Sequence, residues 1–523
     1  MTLGIRVKNL ESPSNKVDSQ LFIPGTRFSI ASYLLVFFAA AVLYILTCAP
    51  GVAWQDSGLI QYRVLHNDIE GKLGLALSHP LFYLVAIPFS HIPLGEFVYR
   101  VNILGAIISA FAVTNLFLLL RLWVGETFPA LLGAATFSLS HTFWFHSTIP
   151  ETYGLFVALL LLELIMLLQY ARTSHSRYLY LLAFINGLAI SNHMLASIAF
   201  ICYFAVIIFF VMKKRVKIRH LALMGLLWIA GAIPYEYLII KNIVMTNDVT
   251  GTFASALFGT KWKDAVLNAS ITWTTVKENF FYILLNFPTP NILFFFLGAW
   301  CIYKVSPERW FANVLIGLSV LYFIFPFRYS VQDRFAFYIP FYCLMSIFIG
   351  LGVFRYLLKS RGTFIYVFAA MCLVVVPAYF KAPEIARGLN IEIGSGRKIP
   401  YRSDSEYFLR PWKMNYNGAG QFAIEALTTV KTPAIIYADG TTAPPLLLTQ
   451  EVQKVRNGED IKIVSSAGSS AGAPEFSERT IEKLFSRRNI YVVSKIAGYC
   501  PDFLLERYEF ETEGVLYHAV RKE

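Results

Sequence analysis

Residues 195–240 read LASIAFICYFAVIIFFVMKKRVKIRHLALMGLLWIAGAIPYEYLII, two apolar runs around the basic cluster Lys213-Lys214-Arg215-Val216-Lys217-Ile218-Arg219. Apolar runs of about 20 residues cross a bilayer. A lysine and arginine cluster between two such runs is held on the cytoplasmic side. The rest of the chain repeats this pattern. Of its 523 residues 56% are hydrophobic and 15% charged, with a mean hydropathy of +0.55. A soluble domain carries about 25% charge, so a soluble enzyme, a disordered protein and a disulfide-stapled secreted module are all excluded. The net charge of +12 does not indicate nucleic acid, because its one tight basic run is the anchor between two spans. Five of the six cysteines lie in apolar runs, and none has the spacing of a metal site or a disulfide framework.

Working outward from 195–240, eleven candidate spans appear: Phe28–Cys48, Phe97–Leu120, Phe128–Phe145, Thr152–Tyr170, Tyr178–Ile190, Leu195–Met212, His220–Ile240, Phe280–Tyr303, Trp310–Phe327, Phe335–Phe354 and Thr363–Phe380. With residues 1–27 as a cytoplasmic N-terminal segment, the inner segments hold 17 basic residues and the outer loops eight. The positive-inside rule favours that orientation. The first run follows 27 polar residues without a small-residue cleavage site and is expected to anchor rather than be removed. From 381 to 523 the chain holds 19 basic and 18 acidic residues, a water-soluble balance. Strand-like runs at Ala434–Ala438, Ile461–Val464, Ile490–Val493 and Val515–Val520 alternate there with helical stretches at Gln421–Thr429 and Glu475–Phe485. The expectation is a mainly α, polytopic membrane helix bundle over 28–380 with a small C-terminal α/β domain over 381–523 on the outer face.

Polar residues gather on the outer side. The first outer loop, 49–96, is long for a compact membrane domain, and long ordered loops are often functional. It opens with Trp54-Gln55-Asp56-Ser57-Gly58 and carries Ser78-His79-Pro80, and its apolar end Leu81–Ile92 is too short to cross. Other outer ends add Arg100 and Asn102, the run His141–Tyr153 with Glu151, the turn Ser191-Asn192-His193, and Arg328–Arg334. Each has a plainer reading. Trp54 and Trp144 suit an interface belt, Asp56 a helix cap, and His141 and His146 helix ends. Arg100, Arg328 and Arg334 suit lipid phosphates, and Glu163 a hydrogen bond within the bundle. Together, however, they form an outward site with a carboxylate, histidines and arginines set against lipid. Such a site suits an amphiphilic substrate with an anionic head. No nucleotide-phosphate loop, dinucleotide turn or H-E-x-x-H pair is present.

The order Gln55-Asp56-Ser57-Gly58, His79-Pro80, Tyr99-Arg100-Val101-Asn102, Thr142-Phe143-Trp144, Glu151-Thr152-Tyr153 and Gly187 to Asn192-His193 resembles a known family. It is that of the plexin-type protein O-mannosyltransferases and their bacterial relatives, membrane glycosyltransferases of the GT-C class. The tail motifs Tyr407–Lys413 and Ala434–Gly440 extend the resemblance over most of 28–460. The resemblance implies a bundle of roughly eleven helices and a polyprenyl- or dolichyl-phosphate sugar donor. It also implies an acceptor hydroxyl on the outer face, of protein Ser/Thr or a glycolipid, and an acidic residue in the first outer loop. Leu59 replaces the family's Glu after Gly58, and His79-Pro80-Leu81-Phe82-Tyr83 shortens its second motif, which leaves the sugar and acceptor open. On this footing Asp56 is the expected catalytic base. Arg100, Arg334 or His193 would hold the donor phosphate, and His79 and Glu151 would orient donor or base. Asn102, Tyr153 and Asn192 complete the expected donor-binding set. No cofactor or metal is required, although Asp56, Glu151 and the histidines could hold a divalent ion. Expected partners are the lipid-linked sugar, the acceptor and membrane lipids, with no nucleic acid. The expected location is a bacterial plasma membrane rather than the ER. The same chemistry on a lipid or cell-wall acceptor, or a lipid-linked-sugar flippase or transporter, are the competing readings.

Overall fold

A computed structural model describes residues 29–259, 262–331, 333–358, 365–394, 397–466 and 468–522. The cytoplasmic segment expected over 1–27 lies outside the described residues. Helix α1 (Ile30–Thr47) is capped by Ser29, whose hydroxyl accepts the Ser32 N–H. The long loop after it holds α2 (Gln55–Leu65) and α3 (Pro80–Ser90). At 11 residues α3 is about 16 Å long, well short of a bilayer. The bundle continues with α4 (Phe97–Val124), α5 (Thr127–Ser138), α6 (His141–Ser147), α7 (Tyr153–Thr173), α8 (Arg177–Asn192), α9 (Ala196–Met212) and α10 (Ile218–Thr246). Then come α11 (Val249–Phe258), α12 (Lys263–Leu267), α13 (Trp273–Asn286), α14 (Leu293–Val305), α15 (Arg309–Arg328), α16 (Ile339–Leu357) and α17 (Ile365–Gly388).

The chain is a multi-pass membrane protein, but its spans are less regular than eleven apolar runs imply. Among the described residues seven helices are long and apolar enough to cross, or eight if one bent pair counts as a span. The expected straight run Phe280–Tyr303 is that pair: α13 and α14 meet at 106°, because Pro288 and Pro290 cannot continue a helix. The expected span Phe128–Phe145 also breaks, at Leu139-Ser140, into α5 and α6. Helices α8 and α9 have 16 and 17 residues.

Helix α16 is the centre of the bundle, buried at every residue from Ile339 to Phe354. Helices α1, α10 and α17 sit outside and expose Leu35, Leu226 and Leu373, as lipid-facing helices do. Without a hydrophobic drive between helices in lipid, small residues let backbones approach. A Cβ on Gly187 of α8 would lie 2.2 Å from the Trp228 carbonyl of α10, and one on Gly231 equally close to that of Phe184. Gly231→Leu should therefore force α8 and α10 apart and cost about 1–3 kcal/mol or more, read as a lower Tm in detergent than wild type. Below this contact Glu163 accepts from Asn186 (3.0 Å) and Tyr203 (2.9 Å), and Asn186 in turn accepts from Trp228 (3.0 Å). That network ties four helices and gives Glu163 the bundle role expected of it.

The C-terminal part holds α18 (Asp404–Leu409), α19 (Gly418–Thr429), β1 (Ala434–Tyr437), α20 (Ala443–Glu451), β2 (Ile461–Val464), α21 (Glu478–Leu484), β3 (Asn489–Val492), α22 (Asp502–Arg507), β4 (Tyr508–Glu513) and β5 (Leu516–Arg521). The sheet order is β2-β1-β3-β5-β4. Strands β2, β1 and β3 are parallel, with Ala434 opposite both Ile461 and Asn489, and β5 and β4 are antiparallel. The sequence reading missed β4, whose Glu509, Glu511 and Glu513 charge a sheet edge, a usual guard against edge pairing. The sheet domain docks on the start of the first loop. Lys413 N–H bonds the Thr47 carbonyl (2.8 Å), Gln55 N–H that of Thr441 (3.2 Å), and Trp54 Nε1 the Tyr416 hydroxyl (2.9 Å). Val52, Trp54, Phe145 and Ile149 share one core with Ala419, Phe422 and Leu446. Trp54 and Trp144 are thus buried packing residues rather than interface-belt aromatics.

Candidate active site

Between α2, the outer helix ends and the sheet domain lies a cavity of about 1640 Å³. Its placement begins with Asn102 of α4. The Asn102 amide donates to the carbonyls of Ala49 (2.8 Å) and Gly51 (3.0 Å) and accepts from Gln61 (2.7 Å), which itself receives the Ala53 N–H (3.0 Å). This clamp fixes the turn that delivers α2. Gln55 then adopts φ 51°, uncommon for a side chain-bearing residue. Gly58 allows the close packing that follows: a Cβ there would lie 2.2 Å from the Ala53 carbonyl and 2.8 Å from Pro444 of α20. Trp54, not Asp56, is the cap residue of α2, and Asp56 in the first turn faces the cavity.

Asp56, Glu151 and Asp333 all line the cavity. Asp56 and Asp333 are exposed to this partly open cavity, with its protein walls around them. Burial pushes the Asp56 carboxyl up to about 6, with the charge of Asp333 adding to it. Glu151 is pushed further, to about 8, by burial and then by Asp56, against a lowering bond from Ser57. Ser57 Oγ donates to Glu151 Oε1 at 2.7 Å. Near neutral pH the arrangement therefore holds Asp56 as the carboxylate and Glu151 as the neutral acid, two roles set by environment.

Histidines form the second wall. His79 sits at φ 51° immediately before Pro80, and its Nδ1–H donates to the Asn192 carbonyl (2.8 Å), leaving Nε2 as acceptor. Burial, more than its other neighbours, lowers His79 to about 4, so its ring is neutral. Its ring lies 4.9 Å from that of His193, which in turn lies 5.3 Å from Tyr153. His193 Nδ1 accepts the Leu195 N–H (3.1 Å), which leaves Nε2–H free to donate. Asn192 holds the Thr152 carbonyl (3.1 Å) beside Glu151.

Of the expected site residues, Asp56, His79, Glu151, Tyr153, His193 and Arg334 come together in this one cavity. Arg100, Asn102 and Asn192 do not line it. Arg100 donates to the Gly95 carbonyl (3.0 Å) at the outer end of α4, and the two asparagines position the loop and His79. Arg328 is spent on the Val266 and Asn268 carbonyls. Arg334 is buried, pairs with Glu278 and lies 5.7 Å over the Tyr282 ring. Two residues were missed. Asp333 stood in the sequence beside Arg334, and Arg63 lies seven positions after Asp56, two helical turns along α2. The cavity also has apolar lining residues in Ile198, Leu257, Phe258, Phe281, Leu285 and Phe325. Among the described residues three metal-type ligands converge within 4.8 Å at Glu511, Glu513 and His518 on the sheet edge. Asp56, Glu151 and the cavity histidines do not converge so closely.

The cavity joins a carboxylate pair to an apolar wall, on a multi-pass helix bundle with an appended sheet domain. The fold is similar to that of ArnT from Cupriavidus metallidurans bound to undecaprenyl phosphate. The TM-score is 0.58 at 13% identity, over 94% of this chain and 98% of that one. A looser likeness, TM-score 0.36 at 13% identity, links 77% of this chain to 58% of the archaeal oligosaccharyltransferase AglB from Archaeoglobus fulgidus. Residues 76–218 match the family model described as the Protein O-mannosyl-transferase TMEM260 N-terminal domain. The chain is also 29% identical over 227 residues to Protein O-mannosyl-transferase TMEM260 of Mus musculus, 42% of this chain and 31% of that protein. The match thus spans about a third of the relative's length. The likeness to ArnT concerns the fold, and the likeness to the O-mannosyl-transferase domain concerns residues 76–218.

Proposed function

We propose that the chain is a glycosyltransferase that moves a sugar from a polyprenyl- or dolichyl-phosphate to a hydroxyl group on the outer face of the membrane. Mannose and a protein are the sugar and acceptor that the relative's name supports, and protein Ser/Thr supplies the hydroxyl in this reading. The observation that carries the reading is that Asp56, a carboxylate whose affinity for protons burial has raised, shares a cavity with a buried arginine and an apolar wall. A lipid-phosphate sugar needs those three surroundings together. The orientation rests on the charge asymmetry, which keeps the N-terminus and the basic cluster 213–219 cytoplasmic.

The chemistry is a single displacement. Asp56 takes the proton of the acceptor hydroxyl as its oxygen bonds the anomeric carbon. The bond from that carbon to the phosphate oxygen breaks on the opposite face, and its electron pair leaves with the lipid phosphate. Attack opposite the leaving group inverts the anomeric centre. A phosphate leaves as a stable anion, so it requires a cation rather than the second acid of a glycosidase. Arg334 supplies it, since a guanidinium matches phosphate oxygens with a planar fork. His79, Glu151 and His193 shape the sugar site with neutral donors and acceptors.

Membranes containing the protein, given radiolabelled lipid-phosphate mannose, should pass label into the protein fraction. Label confined to lipid or cell-wall polymer would keep the chemistry and change the acceptor. A donor left unconsumed would remove the enzyme reading.

A further inference from the structure

The sheet domain and its motifs Tyr407–Lys413 and Ala434–Gly440 take no part in the displacement itself. The three parallel strands lie in the order β2-β1-β3, so the chain leaves β1 for one neighbour and returns to the other side. In open α/β sheets ligands bind outside the carboxyl ends of the strands at such a reversal. Here that crevice opens into the cavity of Asp56. Thr441 follows β1, Gly468 and Ser469 follow β2, Tyr499 follows β3, and all four line the same cavity.

Arg397 anchors the crevice. Its side chain is 5% exposed and clamps Asp439, just past β1, through bonds of 2.6 and 3.1 Å. It lies 4.0 Å over the Tyr499 ring, and its buried Nε–H has no partner among the described residues. Across the crevice α2 presents Gln55, Leu59, Tyr62 and His66, a helical stripe beside Asp56. The cations on this wall are paired, Arg397 with Asp439, Arg402 with Asp404 (2.7 Å) and His66 facing Glu451 (2.8 Å), and the exposed Glu392 adds a carboxylate to it. Tyrosine rings, hydroxyls and loop backbone remain to meet a ligand. That chemistry fits a polar chain without negative charge, and among the described residues this wall offers no unpaired cation for a phosphate headgroup.

We propose that the carboxyl edge of the sheet at β1 and β3 is the acceptor subsite. It takes a neutral, hydroxyl-bearing polypeptide segment, not an anionic lipid, and passes its hydroxyl across α2 to Asp56. The subsite rests on the transferase reading above and names its acceptor side. Tyr499 is a positioning residue there, holding the segment while Asp56 does the chemistry.

The test uses the full chain in lipid nanodiscs with polyprenyl-phosphate mannose and a fluorescent, uncharged Ser/Thr-rich peptide as probe. Tyr499→Ala should raise the KM for the peptide about tenfold, the size of a lost aromatic contact. The KM for the donor should move by less than about twofold, and Tyr499→Phe should restore the peptide KM. An unchanged peptide KM, or an equal rise in both, overturns the subsite. A wild-type protein that consumes donor and labels vesicle lipid but never the peptide overturns it too, while leaving the transferase standing. A wild-type protein that consumes no donor overturns the transferase reading and the subsite with it.

Discussion

Asp56→Asn is expected to lower sugar transfer by about 10²–10⁴-fold, the usual worth of a positioned general base. The substitution keeps the shape of the side chain and removes its capacity to take a proton. The Asp56 carboxylate accepts no hydrogen bond from the described residues, so the fold and donor binding should survive, with Tm and donor affinity near wild type. The loss should therefore appear in kcat. The pH profile gives a second reading of the same group. Only the carboxylate form is active, so kcat/KM should fall as pH drops through about 6, the value to which burial and Asp333 push Asp56. Asp333→Asn removes a negative neighbour that favours the protonated form, and should move this acid limb to lower pH. A folded Asp56→Asn protein that transfers sugar like wild type would take Asp56 out of the reaction.

That Asp56, Glu151 and His193 line one cavity was legible in the sequence because it depends on one-dimensional signals. Polar residues stand out at the ends of apolar runs, and Asp56, Glu151 and His193 each stand at such an end. The bends were harder. Phe280–Tyr303 is apolar throughout, and composition does not distinguish a straight span from a pair of helices meeting at 106°. Only the prolines at 288 and 290 marked the break. Arg100 shows the opposite error: a charge at an outer helix end looked like a phosphate ligand, but it closes on the Gly95 carbonyl of its own chain. Asn102 and Asn192 were placed near the right residues with the wrong task, because an amide that satisfies backbone carbonyls cannot be told in sequence from one that meets a substrate. Strand β4 escaped because its alternating glutamates imitate an exposed loop.

Arg63→Ala should damage both stability and catalysis, although Arg63 is not proposed to touch the reacting atoms. Its guanidinium is buried, and the loop from His66 to His79 is wrapped round it. Nε donates to the Asp68 carbonyl (3.2 Å), and the two terminal nitrogens donate to those of Leu77 (3.4 Å) and Ser78 (2.9 Å). The Tyr83 ring stacks 3.8 Å from the guanidinium carbon. Gly71, at φ 72°, passes so close that a Cβ would lie 2.9 Å from that carbon. Ser78 precedes His79, whose strained backbone has to be held from somewhere. Hydrogen bonds from a charged donor are worth about 1.5–3 kcal/mol each, so losing this set should cost roughly 3–5 kcal/mol in all, as breaking a buried charge site does. A loop that shifts by about 1 Å can cost on the order of 10² in rate, and kcat/KM should fall by that much even at temperatures where the variant is folded. Arg63→Lys should rescue little, since a single ammonium cannot reach three carbonyls and stack on a ring. Melting and turnover measured in one detergent decide the matter. If Arg63→Ala holds its Tm and loses only turnover, Arg63 meets the substrate directly. If both stay near wild type, the loop keeps its shape without it.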